Sequence, residues 1–326
     1  MRSQILLWIR AAVLVTFFSG ISTTGRAQNP QRPTLPENFL SFPNKTYELD
    51  FQWQGDSLHG GWEPYAAMLL PVTLPGCSQR LFMQFDLGSP SSVLYNAKLL
   101  DIHAKYPKAI TLTDTTTALQ NVSFKVGKMP VLASAITVRQ VGARSVPGSS
   151  WKEPVIIGTL GTDVIDGRVV AIDYPRKRLT LYPGLPKSIQ PSELSGFVYT
   201  SRSVLLPATI KGKQTMLFFD TGTSGFELLT DRSTYQLLSS PGAIEKEYQV
   251  RSWNRFMTAH SSASSDSLMI SSKQIPLRMV TYMEGASSAQ IDQMIKLGIG
   301  GMIGNRLFLN SILVLDTRNK KFGLFH

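Results

Sequence analysis

The feature that most constrains the fold of this 326-residue chain is an internal repeat. Residues 81–89 form an apolar run that ends at Asp86 and then turns through small residues, and residues 217–225 repeat the pattern around Asp220. An apolar strand that stops at an acid and breaks into a turn delivers that acid to a loop, where a rigid scaffold holds it. Two acids in equivalent places of one repeated unit therefore predict a shared site between the two copies.

The later parts of the two copies follow the same order. Gly161 precedes Asp173 by twelve residues, and Gly304 precedes Asp316 by twelve residues as well. Agreement without a gap over this distance indicates that one structural unit has been duplicated. Short apolar runs separated by Gly, Pro, Ser and Asp, with few stretches of helical period, predict an all-β fold.

The two Asp motifs resemble those of the pepsin-like and retropepsin-like aspartic proteases, whose lobes each supply one Asp from an Asp-Thr/Ser-Gly motif. The second motif matches this pattern fully, and the first departs from it because Leu87 stands where Thr is expected. Residues 160–161 and 303–304 stand where this family has a hydrophobic-hydrophobic-Gly element that braces each Asp loop. The resemblance covers most of residues 65–326. It implies a bilobal, pepsin-like acid protease fold with two related β-barrel-like lobes and an active-site cleft between them.

The resemblance also assigns roles to the residues around the two acids. It makes Asp86 and Asp220 the catalytic pair, and it implies five supporting residues, Gly88, Ser89, Thr221, Gly222 and Thr223. The glycines permit a tight turn that lets backbone N–H groups face a carboxylate. By resemblance, the hydroxyls of Ser89 and Thr223 are expected to hydrogen-bond the outer carboxylate oxygens. Thr221 is expected to bond across to the other lobe, a bond that Leu87 cannot match.

The family covers its cleft with a hairpin flap that carries a Tyr in the first lobe. The equivalent region here, residues 109–119, contains no Tyr. In the second half, residues 251–256 take the flap position, and Trp253 is a candidate to cover the cleft. A Trp packed into the protein at this position is the alternative, since aromatic side chains bury large apolar areas.

The chain is predicted to begin with a signal peptide and to continue as two lobes joined by a linker. Arg2 and Arg10 lead into a short apolar core, and Gly25 and Ala27 follow at the expected cleavage positions, which is the pattern of an exported protein. This core is too short to be a membrane anchor. The predicted segments are a signal peptide at 1–27, an N-terminal arm at 28–64, an N-terminal β lobe at 65–185, a linker at 186–196 and a C-terminal β lobe at 197–326.

Composition argues against several classes of partner and cofactor. The net charge is +11 at pH 7, but the positive residues are dispersed and no nucleic-acid-binding module is recognisable, so no nucleic-acid partner is predicted. Cys77 is the only cysteine, which excludes an intramolecular disulfide and cysteine-based metal clusters. The four histidines lack ligand spacing. We therefore predict no metal and no organic cofactor, and no transmembrane segment after the signal is removed.

These observations predict an exported aspartic-type peptidase, periplasmic or extracellular, that hydrolyses peptide or protein substrates through a water activated by the Asp pair. The alternative is a catalytically inactive relative that uses the interlobe cleft to bind a peptide or polymer, and Leu87 and the Tyr-free flap favour it. A third interpretation is an envelope structural protein that uses its basic surface.

Overall fold

The computed structural model describes residues 35–58, 61–142, 144, 154–252, 255–284 and 298–325. Within these residues the chain forms twenty-four strands, two α-helices and four short 3₁₀ turns. The predicted all-β, bilobal architecture is confirmed. The signal peptide predicted at 1–27 lies outside the described residues.

We refer to residues 35–182 as the first half and to residues 195–325 as the second half. The first half contains β1 Leu40–Ser41, β2 Tyr47–Asp50, β3 Gln52–Leu58, β4 Gly61–Thr73, β5 Leu81–Phe85, β6 Val93–Tyr95, α1 Asn96–Lys105, β7 Ala118–Val126, β8 Met129–Arg139, β9 Val155–Leu160, β10 Val169–Asp173 and β11 Arg178–Tyr182. The second half contains β12 Ser195–Gly196, β13 Val198–Thr200, β14 Ser203–Ile210, β15 Lys213–Phe219, β16 Leu228–Thr230, α2 Arg232–Leu238, β17 Lys246–Ser252, β18 Arg255–Ala263, β19 Ser267–Ile270, β20 Lys273–Pro276, β21 Met279–Glu284, β22 Ile299–Ile303, β23 Ile312–Asp316 and β24 Lys321–Phe325.

Each half builds its own sheet, and a third sheet joins them. The eight-stranded sheet of the first half has the order β1-β8-β6-β9-β5-β4-β3, with β7 paired to β4 and β8. The ten-stranded sheet of the second half has the order β17-β18-β21-β16-β22-β15-β14-β19-β20, with β13 paired to β14. The six-stranded joining sheet has the order β12-β24-β23-β10-β11-β2, so its central antiparallel pair, β10 and β23, brings the two halves together.

The sequence repeat corresponds to the same pattern of strand pairing in the two halves. In the first half β5 lies parallel to β9, with Phe85 opposite Leu160, and in the second half β15 lies parallel to β22, with Phe219 opposite Ile303. Both pairs carry a register shift at the matching place, three or four residues before the Asp. Because the strand that ends at each Asp lies inside its sheet, all of β5 is buried, as expected for an interior strand.

The halves differ between the helix and the strands that follow it. In the second half, β17 and β18 form a hairpin after α2. In the first half the described chain has no strand between α1 and β7, so residues 109–117 form a loop. Trp253, which lies between β17 and β18 in the sequence, falls outside the described residues.

A continuous apolar core connects the sheets to the Asp loops. Phe85 and Phe219, which precede the two acids, are both 0% exposed, and Leu87 is part of the same core. Full burial of a side chain of this size contributes about 1.5–3 kcal/mol. Cys77 is a buried free thiol in this core. Among the described residues no helix is long and apolar enough to cross a membrane.

Candidate active site

The two predicted acids stand in the same local setting, at the end of a buried strand beside the bracing strand. The backbone N–H of Asp86 donates to Leu160 O at 2.9 Å, and that of Asp220 donates to Ile303 O at 2.9 Å. These bonds tie the start of each Asp loop to the hydrophobic residue that precedes the bracing glycine. The matching geometry gives both carboxylates the same approach to the seam between the halves.

The structure brings the two carboxyl groups together at that seam. A methyl group added to Gly88 would lie 2.5 Å from Asp220 Cγ, and one added to Gly222 would lie 2.6 Å from Asp86 Cγ. Each loop therefore places a backbone segment without a side chain against the acid of the other half. The close approach requires glycine at both positions, because any larger residue would push the loops apart.

Each acid is also held by its own loop. Gly88 N donates to Asp86 Oδ1 at 2.9 Å, and Gly222 N donates to Asp220 Oδ1 at 2.7 Å. The side chains are almost completely enclosed, since Asp86 is 1% exposed and Asp220 is 0% exposed. A backbone donor on one oxygen of each acid therefore holds that carboxyl group in place.

The surroundings of Asp220 favour its protonated form. Burial is the largest cause that raises the pKa of Asp220 well above its ordinary value of 3.8, followed by the charge of Asp86 and a hydrogen bond between the two carboxyl groups. The N–H groups of Gly222 and Gly88 act in the opposite direction. Two carboxylates in contact cannot both ionise readily, so the pair favours a state with one shared proton.

Thr221 joins the two halves beneath the pair. Its hydroxyl donates to Phe85 O at 2.9 Å and accepts the N–H of Leu87 at 2.8 Å, and its side chain is fully buried. At the equivalent position of the first half, Leu87 is 1% exposed and packs into the hydrophobic core. At this pair of equivalent positions the side-chain hydrogen bonds to the other half come from Thr221, and Leu87 contributes apolar packing.

We expect Thr221→Val to lower the free energy of unfolding by about 1–3 kcal/mol, because it leaves a buried carbonyl and a buried N–H without their partner. Chemical denaturation measures this change. Thr209→Val, in a strand of the same half, is the matched control and should change the stability by less than about 0.5 kcal/mol, since Thr209 is half-buried and makes no bond across the seam. Equal effects of both variants would contradict the assigned link.

The expected roles of Ser89 and Thr223 are not those that the structure shows. The Ser89 hydroxyl donates to Ser91 O at 2.8 Å, and the Thr223 hydroxyl donates to Asp220 O at 3.0 Å. A hydroxyl has a single proton to donate. These two hydroxyl protons therefore go to backbone carbonyls and not to the outer carboxylate oxygens that the resemblance implied. The two hydroxyls stabilise the turns that carry the acids.

The bracing glycines lie directly behind the Asp loops. A methyl group on Gly161 would lie 2.5 Å from Ser91 C, and one on Gly304 would lie 2.7 Å from Phe226 O. Backbone contact at this distance leaves no room for a side chain. Both glycines therefore let the bracing strand support the adjacent loop without a gap.

Three supporting residues were missed in the sequence. Thr162 Oγ1 donates to Leu87 O at 2.9 Å, and Asn305 Nδ2 donates to Thr221 O at 3.1 Å, so the residue after each bracing glycine holds the residue after each acid. The buried Tyr174 hydroxyl then donates to Asn305 Oδ1 at 2.7 Å. The matched position of Thr162 and Asn305 in the repeat was the available signal.

Other kinds of site have no support in the described part of the chain. No group of three or more His, Cys, Asp or Glu side chains that could hold a metal ion occurs there. Trp253, the candidate for covering the cleft, falls outside it, so its placement stays a prediction. The acid pair at the seam is thus the candidate site that the geometry defines.

Comparison with known proteins identifies a similarity at the level of structure. No protein-family model matches the sequence, and no curated protein matches it. Among solved structures, the chain is similar to the crystal structure of an aspartic proteinase from Irpex lacteus, with 11% sequence identity and a TM-score of 0.47. The match covers 86% of this chain and 97% of that chain.

Proposed function

We propose that this protein is an aspartic peptidase that hydrolyses peptide bonds in peptide or protein substrates, with Asp86 and Asp220 as the catalytic pair. The observation that carries the proposal is the contact of two buried carboxyl groups at the seam, each held by a glycine N–H on one oxygen. Rigid donors and shielding from bulk solvent favour acid–base catalysis by a carboxyl pair.

The chemistry follows from the single proton that the pair holds. The ionised carboxylate takes a proton from water as the water oxygen attacks the peptide carbonyl carbon, and the protonated carboxyl gives its proton to the carbonyl oxygen. The C–N bond of the tetrahedral intermediate then breaks as the nitrogen takes a proton from one acid, and a hydroxyl of the intermediate returns its proton to the other acid, which restores the single proton of the pair. Because the two acids titrate as a unit, neither is assigned permanently as acid or base. These steps need no metal and no organic cofactor.

The proposed location is outside the cytoplasm, in the periplasm or the extracellular space. The basic, apolar and small-residue order of residues 1–27 supports removal of a signal peptide during export. Mass spectrometry of the exported protein tests this proposal. A mature chain that starts near Gln28 is the expected result, and a full-length chain retained in the cytoplasm would contradict it.

The direct test of the peptidase proposal is cleavage of a broad peptide library by the purified mature protein, with and without a statine inhibitor. Statine presents a tetrahedral hydroxyl that resembles the intermediate, so it should bind between the two carboxyls and block cleavage. A library that stays intact, or cleavage that statine leaves unchanged, would contradict the proposal.

The rate of hydrolysis should decrease as the pH rises. The pKa of Asp220 is raised mainly by burial and by the charge of Asp86, so the pair keeps its proton well above pH 3.8 and loses it at the raised pKa. Above that pH both acids are ionised and no proton remains for the carbonyl oxygen. A profile of kcat/KM from acidic to alkaline pH measures this loss. A rate that keeps increasing into the alkaline range would argue against the acid pair.

A non-catalytic protein that binds a peptide or polymer in the same cleft is the second candidate. Leu87 supports it, because the first motif lacks the hydroxyl of the second. The loop at 109–117 supports it as well, because the described first half has no hairpin there to clamp an extended substrate. Binding of library peptides without any cleavage is the result that distinguishes this candidate from the peptidase.

A further inference from the structure

We propose that Arg202 and Glu63 are positioning residues of the acid pair, each crossing the seam to hold the Asp loop of the opposite half. The inference rests on the proposed function. Arg202 belongs to the second half and reaches the loop of Asp86, whereas Glu63 belongs to the first half and reaches the loop of Asp220. Both side chains are buried, with 1% and 2% exposure.

Most of the contacts of the Arg202 side chain are with residues of the first half. Its Nε donates to Asp166 Oδ2 at 2.8 Å, and its Nη1 donates to Pro90 O at 3.1 Å and to Ser91 Oγ at 3.2 Å. Pro90 and Ser91 lie in the loop that begins at Asp86. A buried Arg that bonds both a carboxylate and two loop oxygens fixes the position of that loop relative to the second half.

Two hydrogen bonds connect this part of the loop to Asp86. Ser91 O accepts the hydroxyl of Ser89 at 2.8 Å, and Ser89 N donates to Asp86 O at 3.2 Å. Pro90 and Ser91, which Arg202 contacts, are thus connected to Asp86 by hydrogen bonds within one turn. Movement of these two residues would shift Asp86 relative to Asp220.

The N-terminal arm completes the environment of Arg202. Its Nη2 donates to Pro36 O at 3.0 Å and to Glu37 O at 3.2 Å. With the three bonds to the first Asp loop and Asp166, these contacts occupy all five N–H donors of the guanidinium. A lysine has three donors and lacks the planar fork, so it cannot reproduce this set. The arm is therefore part of the support of the acid pair.

The backbone at Arg202 is consistent with a required side chain. Ser201 and Arg202 form the turn between β13 and β14 with φ values of 45° and 64°, in the left-handed region. Turns of this kind prefer Asn, Asp and Gly. An Arg at such a position carries a conformational cost, which its buried hydrogen bonds offset.

Glu63 performs the corresponding task on the other side of the seam. Its Oε2 accepts a hydrogen bond from Arg306 Nη1, and Arg306 N in turn donates to Ser224 O at 3.0 Å. Glu227 Oε1 lies 3.5 Å from Arg306 Nε. A methyl group on Gly225 would lie 3.0 Å from Glu63 Cγ, so the glutamate side chain packs directly on the loop that follows Asp220.

The two contacts use opposite charges. The loop of the second half is held through Arg306, which meets Glu63, and the loop of the first half is held beside Asp166, which meets Arg202. Opposite charges make each half complementary to the other half.

The test compares Arg202→Gln, Arg202→Lys and Glu63→Gln with wild-type protein in kcat, KM and the pKa of Asp220. The pKa is followed by NMR of carbon-13-labelled aspartate carboxyls, assigned with Asp220→Asn. We expect Arg202→Gln to lower kcat by about 10- to 100-fold with a smaller change in KM, because displaced acids lose alignment but substrate contacts remain. We expect the pKa of Asp220 to fall toward 3.8 as the loops separate and water enters. Arg202→Lys and Glu63→Gln should show smaller changes in the same directions.

Arg178→Gln is the matched control. Arg178 pairs with Glu48 and Asp50 on the surface of the joining sheet, and its side chain is 43% exposed, so this variant should match wild type in every readout. Folded Arg202 and Glu63 variants with the kcat and the Asp220 pKa of wild type would overturn the proposal. Arg202→Lys keeps the charge and provides the same test if Arg202→Gln does not fold. The NMR titration needs no substrate, so it tests the positioning role even if the wild-type protein cleaves no peptide and the proposed function fails.

Discussion

Replacing Asp220 with Asn is expected to lower the rate of peptide hydrolysis by about 10²- to 10⁴-fold, the contribution of a positioned acid–base group. The amide has nearly the size and shape of the carboxyl group but cannot exchange the proton that the pair shares with water and the substrate carbonyl. The measurement is kcat/KM on a peptide that the wild-type protein cleaves, followed across acidic to neutral pH. Asp50→Asn, which changes an acid that is 75% exposed on the joining sheet, is the matched control and should cleave like the wild type.

The same variant should be more stable than the wild type at neutral pH. The pKa of Asp220 is raised in the folded protein above 3.8, mainly by burial, so the folded state favours the protonated acid. The contribution of Asp220 to stability is therefore fully present below pH 3.8 and is lost as the pH rises through the raised pKa. Asn does not ionise, and this loss is absent in the variant. Chemical denaturation at neutral pH and below pH 3.8 should show a gain that disappears in acid.

Two results would contradict these expectations for Asp220. Unchanged peptide cleavage by a folded Asp220→Asn variant would exclude the acid-pair mechanism. A variant less stable than the wild type at neutral pH would show that Asp220 is ionised and well solvated in the folded protein, which would contradict its burial against Asp86. Circular dichroism establishes that the compared variants have the same strand content.

Replacing Gly88 with Ala is expected to cause the second-largest loss, because the added methyl group would occupy the space of the Asp220 carboxyl. The methyl carbon would lie 2.5 Å from Asp220 Cγ, so one of the two loops must move. Displacement of reacting groups by about 1 Å costs on the order of 10²-fold in rate. Overpacking at a buried contact also costs about 1–3 kcal/mol in stability. Gly222→Ala should have the same effect from the other side, against Asp86.

The control for these glycine variants is Gly184→Ala. A methyl group on Gly184 would meet no atom within 4 Å, and its backbone is not in the left-handed region, so activity and stability should stay near those of the wild type. Steady-state kinetics and thermal unfolding measure the two effects. Full activity in folded Gly88→Ala and Gly222→Ala variants would contradict the close approach of the two loops.

Much of the candidate site was predictable because its pattern is local and repeated. Asp86 and Asp220 each follow a buried apolar run and precede a glycine within two residues, and the bracing glycines recur at the same spacing. The strand pairing then follows the repeat, with equivalent partners in β9 and β22. Local periodicity of this kind records which backbone segments form strands and where they end.

The hydrogen-bond partners of short polar side chains were not predictable in the same way. Ser89 and Thr223 were placed correctly in their turns, but their hydroxyls donate to backbone carbonyls at 2.8 and 3.0 Å. Whether a hydroxyl meets a carboxylate or a carbonyl depends on tenths of an ångström in turn geometry. The sequence pattern carries no information at that scale.

By itself the sequence determined that the chain is a duplicated all-β unit with one acid at the same place in each copy, because strand periodicity, turn residues and spacing are local properties. The tertiary structure alone decided which remote side chains hold the two copies in register. Arg202 meets Pro90 across 112 positions of the chain, and Glu63 meets Arg306 across 243. Such pairs form only when folding brings distant segments together, since burial and geometry, and not separation along the chain, select the partner of a buried charge.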